Sequence, residues 1–320
     1  MSIPEIKEKW SAAINTVTIG ATKAEGGTRG STVTIGGQSG IPFLGYDGAV
    51  PHPPAIGLEV FDIAPTSWPK PLADVYGDVW SDPGAWAARV KELGADLVNL
   101  RLLGTHPDEG DRSPKQAVET VKAVLAGADL PVIIWGCGVP EKDQQMMPKV
   151  AEAAQGENCL LGAATETEYR TLTAAAQAYG HKLIALSPCD INKTKQVNIL
   201  ISETGYPLGD IVIYPTAASL GYGMEYIYSI LERSRLAALS GDKLIMQPVI
   251  LDAGFEAWRA KEAKSGDEVA DAWGPAAQRG PAWEAVTATN LIQGGCDLLV
   301  LLHPTAMETV RRTVKQLVGA

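Results

Sequence analysis

The side chains of this 320-residue chain best able to move protons stand where short apolar runs end. Asp62, Asp190 and His303 each close such a run, and a carboxylate or imidazole in that position can act as a general acid or base. Each also has a simpler use. Asp190, in Cys189-Asp190-Ile191-Asn192, fits a helix N-cap, and His303 before Pro304 fits a hydrogen bond to a neighbouring loop. The remaining run ends carry Glu59, Asn99 with Arg101, Trp135 to Gly138, Thr165 with Glu166, Ser187 to Asp190, Tyr214 to Thr216, and Gln247 with Asp252. None ends in lysine, since Lys182 and Lys243 stand at run starts, which argues against an imine mechanism. The four histidines, His52, His106, His181 and His303, are scattered without an H-x-H pair, which argues against a catalytic zinc site. By contrast, Gly136-Cys137-Gly138, Ser187-Pro188-Cys189 and Tyr214-Pro215-Thr216 offer small groups, backbone amides and hydroxyls. Such surfaces let a bulky planar ligand approach closely and satisfy its polar fringe.

The runs that position these residues are Ile56–Asp62, Ala95–Leu102, Leu130–Cys137, Asn158–Thr165, Lys182–Cys189, Ile211–Ala217, Leu244–Ala253 and Cys296–Pro304. They are rich in Val, Ile and Leu without strict alternation, as parallel strands covered on both faces require. A helix-length stretch follows each of them. Ser81-Asp82-Pro83 and Ser113-Pro114 read as helix starts, and Gly94 and Gly127 as stops. Eight strands alternating with helices predict an α/β fold, a (β/α)₈ TIM barrel whose chemistry sits on the loops after the strands. Before it, TVTIG occurs at Thr16–Gly20 and again at Thr32–Gly36 around a Gly-rich loop, which predicts a β-hairpin. The expected organisation is an N-terminal hairpin extension over residues 1–53 and a barrel over 54–320, together one domain. The hairpin would plug one barrel end or serve as an arm for a partner. Two connections, Ile63 to Ser81 and Gly254 to Pro281, are longer than a barrel needs and read as lids or binding loops. Most of the eight tryptophans fall at or near the expected C-terminal face, which suggests a large apolar ligand or a protein partner there.

Twenty-seven Lys and Arg against thirty-seven Asp and Glu give a net charge of −10, a poor match for nucleic acid or anionic lipid. Met1-Ser2-Ile3-Pro4-Glu5 does not open a secretory leader, and no apolar stretch approaches the ~20 residues that span a bilayer, so the expected location is the cytoplasm. Cys137, Cys159, Cys189 and Cys296 are too far apart for a C-x-x-C clip, so neither a zinc ribbon nor a local iron–sulfur motif is expected. Cys159 and Cys296 begin strands, whereas Cys137 and Cys189 end them.

The segments LVNLRLLGTHPD, PVIIWGCGVPEKD, LIALSPCDIN and DIVIYPTAASLGYG, with the opening TVTIG…GGTRG…TVTIGG and the closing LLVLLHP, closely resemble one family over essentially the whole chain. That family is the small, delta-type subunit of the corrinoid iron–sulfur protein in the acetyl-CoA decarbonylase/synthase system, the reductive acetyl-CoA pathway of anaerobes. The resemblance implies one half of a heterodimeric, cobalamin-dependent methyl carrier. The large subunit would hold the [4Fe–4S] cluster and most of the cobalamin, and this chain would cover the corrinoid at the interface without catalysing a reaction. The methyl group would come from methyltetrahydrofolate through a separate methyltransferase and go to acetyl-CoA synthase. Barrel geometry, rather than matched family positions, then places Asn99, Arg101, Gly136, Cys137, Gly138, Thr165, Ser187, Pro188, Asp190, Tyr214, Pro215, Thr216 and His303 against the corrin. No D-x-H-x-x-G segment supplies a histidine to the cobalt. The barrel is also similar to pterin-binding methyltransferases, the enzymatic alternative, but only Asn99 and Asp190 remain as polar pterin ligands of the right type. A third reading is a barrel that only docks the other proteins of the pathway.

Overall fold

The structure is a computed structural model that describes residues 8–43 and 47–319. The segment Met1–Glu5, read above for a leader, lies outside the described residues. Eight parallel strands, β3 (Ala55–Phe61), β4 (Leu97–Arg101), β5 (Val132–Trp135), β6 (Leu160–Ala164), β7 (Lys182–Leu186), β8 (Ile211–Tyr214), β9 (Ile250–Leu251) and β10 (Leu298–Leu301), pair in the order β8-β7-β6-β5-β4-β3-β10-β9. A parallel bridge between Ile213 and Val249, with the Ile213 amide donating to the Pro248 carbonyl at 2.8 Å, joins the two ends and closes the barrel. Each of the eight predicted runs supplies one strand. Except for the half-buried Leu186 at the end of β7, their Val, Ile and Leu side chains are buried on both faces, as the lack of alternation required.

Ahead of the barrel, β1 (Thr16–Ile19) and β2 (Val33–Gly36) pair antiparallel in the predicted hairpin. It lies under the N-terminal ends of the strands. Asn158, just before β6, donates its side-chain amide to the carbonyls of Thr18 (2.9 Å) and Gly20 (3.1 Å), and the Asn15 amide donates to the Met246 carbonyl at 2.7 Å. Ile19 and Ile35 are fully buried. The hairpin therefore takes the plug role rather than that of a free arm, because its apolar side chains close the barrel floor. Arg29, on the hairpin loop, fixes it there. Its guanidinium is 2% exposed, pairs with Glu157 at 2.7 Å, and donates to the carbonyls of Ala128 (2.7 Å) and Leu125 (2.9 Å).

The helices that follow the strands begin and end as their sequences dictate. Asp82 caps α2 (Pro83–Glu92), Ser113 caps α3 (Pro114–Gly127) in a reciprocal box with Gln116, and Asp190 caps α6 (Ile191–Glu203). Neither long connection is an open lid. The first forms α1 (Lys70–Tyr76), which an aromatic cluster of Phe61, Trp68, Tyr76 and Trp86 seals to the barrel flank, with Tyr76 donating its hydroxyl to the Leu302 carbonyl at 2.7 Å. The second forms α8 (Ala253–Ala257) and α9 (Lys261–Lys264) before α10 (Ala276–Gly294).

Removing the Arg29 side chain leaves Glu157 without its ion pair and several carbonyls without donors. Arg29→Ala is expected to cost about 3 kcal/mol in urea unfolding. Lys70→Ala, which breaks only the exposed pair with Asp74, should cost less than ~0.5 kcal/mol. Equal costs would show that the plug does not depend on Arg29.

Candidate functional site: the barrel mouth

Strand register brings the mouth together. Glu59 on β3 lies opposite Asn99 on β4, and Arg101, two residues along, lies opposite Trp135 on β5. All four side chains meet Asp252 and Tyr214 in one buried network. Asn99 donates its Nδ2 to Glu59 Oε2 at 2.9 Å, while its Oδ1 accepts from Trp135 Nε1 at 2.7 Å. Arg101 donates its Nε to Glu59 Oε1 and its Nη2 to Asp252 Oδ2 at 2.8 Å. Tyr214 donates its hydroxyl to the other Asp252 oxygen at 2.8 Å. The guanidinium also lies 4.9 Å from the Trp135 ring centre and 5.2 Å from that of Phe255. Two carboxylates thus share one cation. Burial pushes the Glu59 carboxyl up to about 7 against the pull of Arg101, and the negative charge of Asp252 adds to the rise.

Above this floor opens a cavity of about 220 Å³, lined by Arg101, Trp135, Gly136, Cys137, Gly138, Thr165 and Tyr214, with Asp143, Met147, Ala163, Glu168 and Leu172. Asp143, in the first turn of α4 (Pro140–Ala153), turns back to accept the amides of Cys137 and Gly138, both at 2.9 Å. Gly136 makes this possible, since a Cβ there would stand 2.3 Å from the Asp143 carboxylate. Gly162 on β6 does the same for the Trp135 ring, which a Cβ would approach to 2.8 Å. Burial raises both the Asp143 carboxyl and the Cys137 thiol, so the thiol stays protonated near neutrality.

Six of the thirteen residues expected at the mouth line this cavity: Arg101, Gly136, Cys137, Gly138, Thr165 and Tyr214. The others lie elsewhere. Asn99 is fully buried and both ends of its amide are used inside the network, so it supports the floor and offers a ligand nothing. Ser187 is buried against the Thr194 hydroxyl at 2.6 Å. Pro188 is exposed, and the buried Pro215 accepts the Cys189 amide at 3.0 Å. Thr216 is half-buried at φ +63°, its hydroxyl accepting from the Ala218 amide. Asp190 accepts the amides of Asn192 and Lys193 as the cap of α6. His303 caps α11 (Pro304–Leu317) through Nδ1, stacks on Trp258, and is driven down to about 4 by burial. Asp62 accepts the Gly104 amide at 2.6 Å and lies below Arg112, outside the cavity. The mouth is also less aromatic than expected, because only Trp135 of the eight tryptophans lines the cavity.

Glu59 and Asp252 were legible as run ends but not as site residues. An acid inside the apolar run Ala55–Phe61, beside a run carrying Asn99 and Arg101, is the signal that could have found the network. Asp143 left no such mark, since it acts from a helix.

Arg101→Met would strand two buried carboxylates, at an expected cost of about 3–5 kcal/mol. The sign of its pH dependence follows from Glu59. A carboxyl raised to about 7 from an ordinary 4.5 favours the fold fully below pH 4.5, and that contribution is lost as pH rises through 7. Without Arg101 the carboxyl rises further, so the variant should lose more stability at pH 8 than at pH 6. Equal losses in urea unfolding at the two values would contradict the shared-cation arrangement.

Known proteins resemble the chain in both sequence and shape. Dihydropteroate synthase from Xanthomonas albilineans, solved in complex with 7,8-dihydropteroate, superposes with a TM-score of 0.57 at 15% identity, over 85% of this chain and 96% of that one. The Coxiella burnetii dihydropteroate synthase gives 0.56 at 11% identity, over 88% and 99%. Likeness at that identity establishes the TIM-barrel fold alone. Sequence carries further. The acetyl-CoA decarbonylase/synthase complex subunit delta of Archaeoglobus fulgidus is 39% identical over 98% of this chain and 70% of its own length. Subunit delta 1 of Methanosarcina thermophila is 36% identical over 98% and 72%. A family model described as CO dehydrogenase/acetyl-CoA synthase delta subunit matches residues 16–310. With nearly the whole barrel and its hairpin inside that match, this chain belongs to the CO dehydrogenase/acetyl-CoA synthase delta subunit family.

Proposed function

We propose that this chain is the small, non-catalytic subunit of a cobalamin-dependent methyl carrier and that its barrel mouth covers a corrinoid held by a larger partner. The observation that carries this reading is that the polar groups at the barrel centre are consumed by one another. Glu59, Asp252, Asn99, Tyr214 and Trp135 spend their hydrogen bonds on Arg101 or among themselves, and Asp143 spends its carboxylate on the loop amides. A general acid or base needs a free lone pair or proton within reach of substrate. The pterin alternative meets the same obstacle. A pterin buried here would find neither of its two expected partners, because Asn99 is committed inside the network and Asp190 to a helix cap.

The residues present fit a flat ring laid across the mouth. A cavity of about 220 Å³ is far too small for a macrocycle but leaves room beneath one. Gly138 meets nothing within 4 Å where a Cβ would be, so its backbone is open to close approach. When bound, the corrinoid supplies a cobalt that carries the methyl group from methyltetrahydrofolate, via a separate methyltransferase, toward acetyl-CoA synthase. Arg101, whose Nη1 has no hydrogen-bond partner among the described residues, and the Thr165 hydroxyl, which accepts the Glu168 amide at 3.1 Å and can still donate, would hold its amide fringe. Gly136, Cys137 and Gly138 would lie under its edge, and the apolar walls formed by Met147 and Leu172 would exclude water. A protonated Cys137 adds no competing thiolate. The [4Fe–4S] cluster belongs to the large subunit in this reading, and the complex works in the cytoplasm. Among the described residues no helix is long and apolar enough to cross a membrane, and no group of three or more His, Cys, Asp or Glu could hold a metal ion.

Co-expressed with its large subunit, the chain should purify as a complex holding cobalt and iron. Thr165→Trp, which fills the cavity, should lower cobalt content at least ~10-fold while leaving the subunits paired. Unchanged cobalt would support a barrel that only docks pathway proteins. The isolated chain should neither bind nor consume methyltetrahydrofolate, and turnover would establish the methyltransferase instead.

A further inference from the structure

Between β8 and α7 (Met224–Leu239) the chain passes along the rim of the mouth as TAASLGYG, residues 216–223. Its first residue, Thr216, stands at φ +63°, a left-handed conformation that a β-branched side chain holds only under strain. Beside it, Cys189 after β7 stands at φ +39°, and its amide donates to the Pro215 carbonyl at 3.0 Å. The last residue, Gly223, lies at φ +145°, a region that glycine alone adopts freely. Strain of this kind persists only where the surroundings impose it, and it gathers at ligand clamps and switching segments.

Between these two ends the segment is fastened to itself. The Leu220 amide donates to the Ala217 carbonyl at 2.9 Å, the Tyr222 amide to the Ser219 carbonyl at 2.9 Å, and the Ala218 amide to the Thr216 hydroxyl at 3.2 Å. Among the described residues, no hydrogen bond ties residues 217–222 to another element. The Ser219 hydroxyl is buried with no partner among the described residues, a cost that a fully packed loop avoids. Behind the segment lies an unfilled groove of about 510 Å³, walled by Ala218, Leu220 and Gly221 on one side and by Ala257, Ala260 and Trp283 on the other. The segment therefore has room to shift. Tyr222, next to Gly223, is 86% exposed, more than any other large apolar side chain among the described residues.

In front of the segment the mouth cavity is unfinished. Its walls come from β4 to β8 and from the loops and helices after β4, β5 and β6, and they stop at Tyr214, with no later residue among them. We propose that residues 216–223 are a strap that swings on Thr216 and Gly223 and brings the Tyr222 ring against the flat ligand of the mouth, on the side the cavity walls leave open. The proposal rests on the methyl-carrier reading above and names the element that closes that site. A tyrosine suits the task, because its ring offers area to a macrocycle and its hydroxyl can reach the amide fringe. Turning Thr216 out of the left-handed region and covering an exposed ring both favour closure. Closing breaks no hydrogen bond between residues 217–222 and the rest of the molecule, so the ligand has little to overcome in shifting the strap.

The test uses the complex with the large subunit, prepared with and without cobalamin in the growth medium. Amide hydrogen exchange over residues 216–223 should be at least ~10-fold slower in the cobalamin-loaded complex than in the cobalamin-free one, while exchange in the hairpin is the same in both. The second measurement is the rate at which the loaded complex loses cobalt on dilution. Tyr222→Ala should lose it roughly 10-fold faster, Tyr222→Phe, which keeps the ring, at close to the wild-type rate, and Tyr226→Ala, at an exposed tyrosine on α7, at the wild-type rate. Both tyrosines are exposed, so Tm should not move. Equal exchange in the two complexes, or cobalt retention untouched by Tyr222→Ala, would overturn the strap while leaving the methyl carrier standing. So would a Tyr222→Ala chain that pairs more weakly with the large subunit in the absence of cobalamin, since the ring would then belong to the subunit contact. A complex that holds no cobalt at all would instead remove the methyl-carrier reading, and the strap with it.

Discussion

One guanidinium held between two buried carboxylates fixes the mouth of this barrel. Arg101 joins β3, β4 and the end of β9 through Glu59 and Asp252, and the rings of Trp135 and Phe255 both lie against its guanidinium. Three charges out of water are costly unless every one is paired and hydrogen-bonded. Here Asn99 and Tyr214 supply the remaining bonds of the two carboxylates. The result is a rigid, polar floor whose hydrogen bonds face inward, beneath a cavity walled by small and apolar residues. A site so arranged is suited to bearing against a ligand rather than transforming one.

The rest of the molecule serves this floor. At the opposite end the hairpin seals the strands, with Arg29 fastening its loop to the carbonyls of Leu125 and Ala128 and to Glu157. On the flank, Phe61, Trp68, Tyr76 and Trp86 convert the long first connection into packing that backs β3. Glu284 fixes the loop after β10 from behind, accepting the amides of Leu302 and His303, which leaves α10 with no charge to show outward.

Much of the fold could be read from the chain because parallel barrel strands write their position plainly. Each is a short Val, Ile and Leu run between a helix stop and a helix start, and all eight stood where expected. The hairpin announced itself through the repeated TVTIG. The site was less legible, since proximity in a barrel comes from register between strands distant in sequence. Ser187, Asp190, Thr216 and His303 all follow strands, yet local hydrogen bonds turn Asp190, Thr216 and His303 to capping or turn roles and bury Ser187 against Thr194. Glu59 and Asp252, seen only as two more acids, became the anchors of the mouth once Arg101 was placed between them. The tryptophans misled for a similar reason, as aromatic residues near a strand end serve packing at least as readily as contact.

Whether the mouth bears on a corrinoid is decided most directly by anomalous diffraction at the cobalt edge from crystals of the chain with its large subunit. The expected map has one cobalt peak over the cavity, between Gly138 and Thr165, with Arg101 still bound to Glu59 and Asp252. A cobalt peak remote from the mouth, or an Arg101 released from its carboxylates to bind a ligand inside the barrel, would contradict it.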